Sequence, residues 1–588
     1  MKLAKLLLIS ISVICSIVID RLPMTIASEK SPLDRTSNSL LSDPFLQLPT
    51  ANTVNVVWFT EFAGDKHWVE YGTQFKQQVL AKTTKLSRVR EDKDSQINRY
   101  DTAKPTLRDV WRHEATVVNL PPNRRVPYRV NSKLKDKTVS SDKFTLASNP
   151  TPNTSLKILL TSDHQLMPMT TANLHKVVET VGQLDAVFLP GDLVNVPDRA
   201  SEWFDDRRGG AFFPALQGKG HYELERNGIK TIYRGGEIIQ HAPLFTAIGN
   251  HEVMGQRSQP TLKQEFSQPL PRSVATERYQ KLASQINPSN DLQLKQDWIE
   301  NNSFNSNTYE EIFSLPKNPA GGKQYYATTF GDVRLISLYV TQIWRSPSLE
   351  AEEAGRYKES NRDLASPEKW GYGQHIFESI EPGSPQYQWL KQELATEAYQ
   401  KAKYKIVMLH HPPHTLGGNI VPPYTKPQPK PYYQDGKLRS LYYDYPIEED
   451  YIIRDLIPLL ESAGVQLVYY GHSHLWNRFK SDSGMHFLES SNVGNSYGAH
   501  LEGNPRPIPT YSPGNYTAIG NPNGLDPITP NLKPLIDEAE KPLPYIASND
   551  ITVFSIFDTQ TGTVSSYRYD TRQPNSDVVK FDEFKLGR

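Results

Sequence analysis

Five short apolar segments of this chain each lead into a residue type that can bind a metal ion. Segments of this length, rich in β-branched and aliphatic residues, favour buried β-strands. A helical pattern over 171–184 separates the first two and predicts a β-α-β unit, so the chain is expected to build an α/β domain around a largely parallel sheet. The five segments are Leu156–Thr161, Asp185–Leu189, Leu244–Ile248, Tyr404–Leu409 and Val465–Tyr470.

The residues that follow these strands form an ordered set of oxygen and nitrogen donors. In open α/β sheets, ligand sites form beyond the carboxyl ends of the strands, so these side chains are expected to meet in one cleft. Such donors suit two divalent or trivalent cations. Each motif alone is weak, because Gly-Asp is a common turn and His-x-His can be two alternating strand residues. The donors are, in chain order, Asp163, Asp192, Asn250, His410, His472 and His474.

Two neighbouring cations have a defined chemistry. A single carboxylate can bridge two metals about 3.5–4 Å apart, and their charge makes hydroxide available near neutral pH. The same cations neutralise the oxygens of a phosphate ester. Glycine stands directly before Asp192, Asn250 and His472, where it is expected to let the backbone turn tightly.

The N-terminal part has a different pattern. Residues 43–148 contain short β-type segments separated by turn residues, which predicts an all-β sandwich. Tyr128, eight residues after Leu120, is expected to close a strand connection as a tyrosine corner. The second domain is expected to cover 155–588, to include helices over 386–403 and 449–463, and to end in a β-hairpin. It carries long polar or proline-rich insertions at 253–325, 415–447 and 505–544.

The charge balance and the cysteine content limit which functions are expected of this chain. The chain has 65 basic and 65 acidic side chains, so its composition does not favour nucleic acid as a partner. Residues 1–27 have the basic start, uncharged apolar run and small-residue end of a signal peptide, which predicts a secreted or periplasmic protein without membrane attachment after cleavage. The single cysteine, Cys15, lies in that signal, so the mature chain is expected to lack disulfides and thiolate ligands.

The ordered motifs resemble those of the calcineurin-like metallophosphoesterases. The N-terminal segment, with Pro44–Thr50 and Val54–Thr60, is similar to the fibronectin type III-like domain that precedes the catalytic domain of purple acid phosphatases. The resemblance implies a four-layer α/β/β/α sandwich behind an all-β sandwich. The motifs that carry it are Ser-Asp163, Gly-Asp192, Gly-Asn250-His251-Glu252, His410-His411-Pro and Gly-His472-Ser-His474.

The resemblance also implies roles for these residues. Asp192 would bridge two metal ions, and Mn, Zn, Fe or Ca are all candidates for them. His251 would assist the leaving group, with Glu252 orienting it. One metal would be completed by Asn250, His410 and His472, and the other by Asp163 and His474, with His411 behind the ligands.

Two positions depart from the family patterns. Gln165 stands where the superfamily has a histidine, and it is expected to coordinate weakly through its carbonyl oxygen. Asn195 stands where purple acid phosphatases have the tyrosine that colours them, so it is included in the metal site and a colourless protein is expected.

The expected activity is hydrolysis of small phosphate esters by attack of a metal-bound hydroxide, with monoesters preferred. A phosphodiesterase of the same fold and a catalytically weak, metal-stabilised binding protein are the alternatives. His414 is expected to touch substrate or to lie in a surface loop, and Arg478 to form a structural salt bridge in preference to a phosphate contact. The sequence leaves the oligomeric state open.

Overall fold

The structure is a computed structural model, and the predicted signal peptide at 1–27 lies outside the residues that it describes. Within the described part of the chain, no helix combines the length and apolar character needed to cross a membrane. The described residues are 39–97, 103–257, 259–344, 348–371, 375–418 and 421–587.

The N-terminal region consists of two antiparallel sheets that share one apolar core. Val56 and Trp58 of the first sheet pack in the same cluster as Val69 and Val130 of the second, which confirms the predicted all-β sandwich. In sheet order, the first contains Phe45–Gln47, Val54–Thr60, Trp111–Val117 and Lys82–Lys85; the second contains Lys137–Ser140, Val126–Leu134, Lys66–Tyr71 and Gln77–Leu80, with Phe144–Leu146 also paired to Val126–Leu134.

Tyr128 does not close a connection inside this sandwich. Its buried hydroxyl donates a hydrogen bond to the main-chain carbonyl of Gln240, 2.7 Å away in the second region. The tyrosine-corner prediction is therefore wrong. The ring instead helps to fasten the sandwich to the α/β region, because its buried hydroxyl needs a partner there.

A segment between two strands of the first sheet leaves the sandwich. Residues 86–97 and 103–110, here called the docking segment, carry a small two-stranded sheet of Arg90–Glu91 and Thr106–Leu107. Its apolar residues Leu86, Val89 and Val110 belong to the main core of the α/β region. The two regions therefore share a continuous apolar core.

The α/β region is built on two sheets. Within each sheet, the strands that carry the predicted ligands pair parallel with one another, as expected for crossover connections. The six-stranded sheet has the order Leu244–Thr246, Ala186–Leu189, Lys157–Leu160, Ile551–Asp558, Thr563–Asp570, Val579–Lys585; the seven-stranded sheet has the order Tyr326–Phe330, Val333–Ser337, Tyr404–Met408, Leu467–Tyr470, His486–Ser490, Trp476–Lys480, Tyr545–Ile546.

Successive residues of each strand point to opposite faces of the sheet, so their side chains pack in different layers. Leu335 and Met408 of the larger sheet pack with Leu159 and Phe188 of the smaller one. Their strand neighbours point to the opposite face, where Ile336 and others pack with the helices. Helix Thr170–Val181 covers the outer face of the smaller sheet. The predicted four-layer α/β/β/α sandwich is confirmed.

Three details of the predicted secondary structure differ. The helix expected over 386–403 is divided into Pro385–Leu394 and Glu397–Lys401, because the Thr396 side chain caps a new helix start. The helix expected over 449–463 begins as a π-helical turn, Ile452–Leu456, and continues as Ile457–Ser462. The expected C-terminal hairpin is present, but it also pairs antiparallel with Lys157–Leu160 in the middle of the sheet.

The insertions have structure of their own. Residues 253–325 hold four helices, and residues 415–447 hold a hairpin. In this hairpin, Tyr432 and Tyr433 are exposed. Tyr443 and the following Tyr445 are buried in a tyrosine-rich cluster, so these two side chains pack inside the protein. The helices are Leu262–Phe266, Arg272–Ile286, Leu292–Asn301 and Asn307–Ile312; the hairpin strands are Gln428–Gln434 and Lys437–Asp444.

Candidate metal centre

The predicted ligands lie together where the parallel strands of both sheets end. All of them are buried. Ligand atoms of Asp192, His410 and His472 lie within 4.8 Å of one another, and so do those of Asp163, Asp192 and His474. Asp192 therefore belongs to two adjacent donor groups.

The first donor group is centred on His410 Nε2. This atom lies 3.0 Å from His472 Nδ1, 3.1 Å from Asn250 Oδ1 and 3.2 Å from Asp192 Oδ1. Ligand atoms that are each about 2.1 Å from one cation lie roughly 3 to 3.5 Å from one another. The four atoms are therefore spaced as the ligands of one metal ion.

His410 is oriented for this role by its second ring nitrogen. Its Nδ1 lies 2.9 Å from the Pro190 carbonyl, which can only accept a hydrogen bond, so Nδ1 carries a proton and Nε2 is the nitrogen that a metal ion would bind in place of a second proton. Burial lowers the pKa of His410, but the carboxylates of Asp192 and Asp163 outweigh it and raise the pKa to about 9. Burial raises the pKa of Asp192, yet His410 and His251 hold it below its usual range.

The second donor group is built from Asp163, Asp192 and His474. His474 Nε2 lies 3.5 Å from Asp163 Oδ1, and its Nδ1 lies 2.8 Å from the Asn495 carbonyl, so Nδ1 carries a proton and Nε2 faces the carboxylate. The backbone N–H of His472 donates to both oxygens of Asp163, each at 3.0 Å. The two donor groups are thus connected through the His472 backbone as well as through Asp192.

The backbone at the ligands is held in an uncommon conformation. The φ angles of Asp163, Asp192, His472 and His474 are 56°, 55°, 83° and 55°. Positive φ is disfavoured for residues with a side chain and persists where surrounding structure enforces it, often at functional sites. The strand ends are therefore shaped for ligand placement at a local energetic cost.

The glycines beside the ligands allow ligand side chains to approach the backbone closely, as well as allowing tight turns. Gly191, at φ 106°, has the conformation expected for a tight turn. Gly249 does not, since its φ is −96°. A methyl group on Gly249 would overlap the Asp192 carboxylate, and one on Gly471 would overlap that of Asp163. Glycine is required at these two positions because the ligands pass directly over the backbone.

Glu252 has a different role from the predicted one. Its carboxylate accepts hydrogen bonds from the backbone N–H groups of Asp192, Leu193 and Gly249 at 2.7–2.8 Å. It therefore joins the two loops that present Asp192 and Asn250. The expectation that it orients the His251 ring is replaced by this contact to the loop backbone.

Glu489 supports the opposite side of the site and was missed by sequence reasoning. This fully buried carboxylate accepts hydrogen bonds from the Ser473 backbone N–H at 2.8 Å, the Thr415 hydroxyl at 2.7 Å and the Asn477 amide at 3.0 Å. Burial raises its pKa to about 8. The available signal was an acidic residue inside the apolar strand His486–Ser490.

His251 lies beside the donor groups with its ring held at one nitrogen. Its Nδ1 is 2.7 Å from the carbonyl of Asn195, which can only accept a hydrogen bond, so this nitrogen carries a proton. Its backbone N–H donates to Asp192 Oδ1 at 3.0 Å. The ring also packs against Phe266, with the ring centres 5.0 Å apart.

Gln165 and Asn195 occupy the positions where the chain departs from its relatives. The Gln165 amide donates to Asp192 Oδ2 at 3.1 Å, and its buried Oε1 has no hydrogen-bond partner. That unsatisfied oxygen fits a cation beside Asp192. The Asn195 side-chain amide instead donates to the main-chain carbonyl of Gln165 at 2.5 Å, so its amide nitrogen is engaged by the backbone.

Three further residues that the sequence analysis considered make contacts within the protein. Arg478 forms a buried two-point ion pair with Asp582, as expected for a structural role. His414 is neither on the surface nor beside the ligands' donor atoms; it is buried, with Nδ1 3.1 Å from the amide of Asn521. His411 packs its ring on His472, with centres 4.1 Å apart, which places it behind the ligand as expected.

One aromatic residue beside the site was not identified from the sequence. Tyr497 is 62% exposed and its ring stacks on His474, with centres 5.2 Å apart. It lies at the edge of the site, where it could contact a substrate. An isolated tyrosine in an irregular segment carries no signal that would single it out.

The donor chemistry, the ring tautomers and the unsatisfied Gln165 oxygen all fit bound cations. A family model described as calcineurin-like phosphoesterase matches residues 156–475, more than half of the chain. The protein belongs to the calcineurin-like phosphoesterases, as the motifs predicted. It is therefore a phosphoric ester hydrolase, and the family implies metal ions at this site.

A solved structure gives a second comparison. Purple acid phosphatase PPD1 from yellow lupin (Lupinus luteus) seeds shares the fold with a TM-score of 0.51 at 15% sequence identity, and the match covers 92% of this chain and 73% of that one. The search among curated proteins gives no significant match.

Proposed function

We propose that this protein is an exported phosphatase that hydrolyses phosphate monoesters at a site for two metal ions. The observation that carries the proposal is the position of Asp192, whose carboxylate belongs to both donor groups. A shared carboxylate is the feature that two-metal hydrolases use to hold cations a few ångströms apart. Export is supported by the signal-like pattern of residues 1–27.

Each donor group has its own ligands. When bound, two cations would activate water and neutralise the phosphate oxygens. Donors of nitrogen and oxygen only, without thiolate, are compatible with Mn, Zn, Fe or Ca. Asn250, His410 and His472 would complete one site with Asp192, while Asp163, His474 and Gln165 would complete the other.

His251 would supply the proton that the leaving group needs. With Nδ1–H held by the Asn195 carbonyl, a protonated ring would present Nε2–H toward the donor groups. Donation of that proton to the departing oxygen would stabilise the leaving alkoxide.

The preference for monoesters rests on the similarity to a phosphatase structure. A phosphodiesterase of the same fold would use the same donor groups, so the ester class has to be measured. The experiment compares turnover of a nitrophenyl phosphate monoester with that of a bis-nitrophenyl diester. Purified full-length protein is assayed with added Mn or Zn and with a chelator as control.

Three outcomes of this comparison distinguish the possible functions. Metal-dependent turnover that favours the monoester supports the proposal. A preference for the diester replaces it with a phosphodiesterase. Absence of turnover with either ester across these metals, together with intact metal binding, favours the metal-stabilised binding protein.

A further inference from the structure

We propose that the N-terminal β-sandwich positions the catalytic histidine through its docking segment, with Asp92 as the central positioning residue. The role assigned to His251 rests on the proposed function. Two chains of contacts start in the docking segment, and both end on the His251 ring.

The docking segment is built into the α/β region. The backbone N–H of Arg90 donates to the Asp198 carbonyl at 2.7 Å, and Arg90 also pairs with the Asp198 carboxylate at 2.9 Å. Three of its apolar residues lie in the main core, as described above. Its side chains are therefore fixed relative to the site.

The first chain of contacts runs through two ion pairs. Asp92 accepts hydrogen bonds from the Arg199 guanidinium at 3.1 and 3.2 Å, and Arg199 donates to Glu202 at 2.8 Å. The other Glu202 oxygen accepts the backbone N–H of Asn195 at 2.7 Å. The carbonyl of Asn195 then holds His251 Nδ1 at 2.7 Å.

The second chain runs through the short helix Leu262–Phe266. Oδ2 of Asp92, which accepts from Arg199, also accepts the backbone N–H of Leu262 at 2.7 Å, at the start of that helix. Arg90 donates to Glu265 at 3.0 Å, near its end. The next residue, Phe266, packs its ring against His251.

The two chains fix different features of His251. Asn195 sets the nitrogen that carries the proton and the direction of the ring, whereas Phe266 covers a face of the ring. Asp92 takes part in both, because its two oxygens accept from Arg199 and its Oδ2 also accepts from the Leu262 backbone. A displacement of Asp92 would therefore release the ring from two constraints together.

The charged side chains in this network are deeply buried, and a contribution to folding stability does not by itself explain this burial. Asp92, Glu202, Glu265, Arg90 and Arg199 are all at most 7% exposed. Removing such charges from water is costly, and buried ion pairs often add little net stability over apolar contacts. Their placement on the path to His251 is the reason to assign them a positioning role.

The test compares two carboxylates of the same interface. In Asp92→Asn, the ion pair with Arg199 is weakened. The control is Asp205→Asn, which weakens the pair that Asp205 forms with Arg108 of the docking segment, at 2.6 and 2.7 Å. The contacts described for the Asp205 carboxylate do not include Asn195 or Phe266.

The first measurement compares the turnover of two substrates whose leaving groups differ in basicity. It uses full-length, metal-loaded protein. Asp92→Asn is expected to lower kcat for an alkyl phosphate by about tenfold or more, because a poor leaving group needs a well-placed proton donor. For nitrophenyl phosphate the loss is expected to be below about threefold, with KM unchanged. Asp205→Asn is expected to change both substrates equally.

The second readout does not depend on activity. Nitrogen-edited NMR of histidine-labelled protein should show a slowly exchanging Nδ1 proton for His251, identified by its loss in His251→Ala. That signal should broaden or vanish in Asp92→Asn and persist in Asp205→Asn, while both variants keep the metal content of the parent protein.

Arg199→Lys serves as a second variant if Asp92→Asn fails to fold, and the same results are expected for it. Equal losses for good and poor leaving groups, or an unchanged Nδ1 proton in the folded variant, would overturn the positioning role. A parent protein without esterase activity that still shows the Asp92-dependent Nδ1 signal would overturn the proposed function and retain the positioning of His251.

Discussion

The Nε2 atom of His410 lies 3.0 Å from the Nδ1 atom of His472, inside a fully buried cluster. A shared proton could join these two nitrogens, but Asp192 and Asn250 direct oxygens at the same His410 atom. One proton satisfies only one of these approaches, whereas a single cation satisfies them all. The geometry of this histidine pair therefore fits a metal ion bound between the four donor atoms.

Asp192 is expected to be required for both metal ions. Asp192→Asn removes the charge shared by the donor groups, so bound metal should fall from about two equivalents to less than one. His474→Ala affects one group and should leave about one equivalent. Elemental analysis of dialysed protein measures both, with His175→Ala, a half-exposed histidine outside the site, as control. Equal retention in both site variants would contradict a bridging role.

His251→Ala is expected to remove the proton donor without disturbing the ligands. Turnover should fall by about 10² to 10⁴, the usual contribution of a general acid, while metal content and the thermal midpoint stay unchanged. Steady-state kinetics with elemental analysis and a thermal melt check this. Turnover equal to that of the parent would refute the assigned role.

Gly249→Ala is expected to destroy the metal centre. The added methyl would overlap the Asp192 carboxylate and crowd the His410 ring, so the ligands would have to move apart. Metal affinity should drop by at least about tenfold, the usual effect of disturbing groups that orient ligands. Isothermal calorimetry with Mn or Zn measures the change. Gly514→Ala, where a methyl meets open space, is the matched control and should bind metal normally.

The N-terminal sandwich is expected to lose stability in mild acid because of His113. Its buried ring stacks on His67 with centres 3.6 Å apart, and both ring nitrogens are engaged by Thr60 and Thr83. Burial, with the charges of His67 and Arg112, lowers the pKa of His113 to about 2.

An unfolded histidine has a pKa near 6.5, so below that pH the unfolded chain binds the proton first. Stability is full above about pH 6.5 and falls by up to about 1.4 kcal/mol per pH unit below it. Urea unfolding at pH 7 and pH 5 measures the change, and His113→Gln should reduce it. The same pH dependence in His113→Gln as in the parent would exclude His113 as its source.

The Fe(III)-loaded protein is expected to show no visible phenolate-to-iron band. Asn195 provides no phenol at the position where purple acid phosphatases place one. Asn195→Tyr keeps the backbone contacts to Glu202 and His251 and is expected to gain the band. Visible absorption spectra of both proteins decide this. A band in the parent protein would require another tyrosine ligand.

Much of the site was predictable because its signals are local. Strand formation follows from short apolar runs, and residues directly after a strand lie at the sheet edge. Asp163, Asp192 and His410 could therefore be placed together from the printed sequence. The helix break at Thr396 and the π-helical start at Ile452 were missed, because capping and turn widening depend on small differences between similar backbone arrangements.

The sequence by itself determined the α/β class and the order of the donor residues, since these follow from short apolar runs and the residues after them, and the resemblance of those motifs to a known family indicated the family. Tertiary structure alone decided that the Asn195 carbonyl holds His251, that Glu489 supports Ser473, and that Asp92 reaches Arg199 across the domain interface. These contacts join residues many positions apart, and no local pattern specifies which buried charge finds which partner. Packing of the two regions around one core sets them.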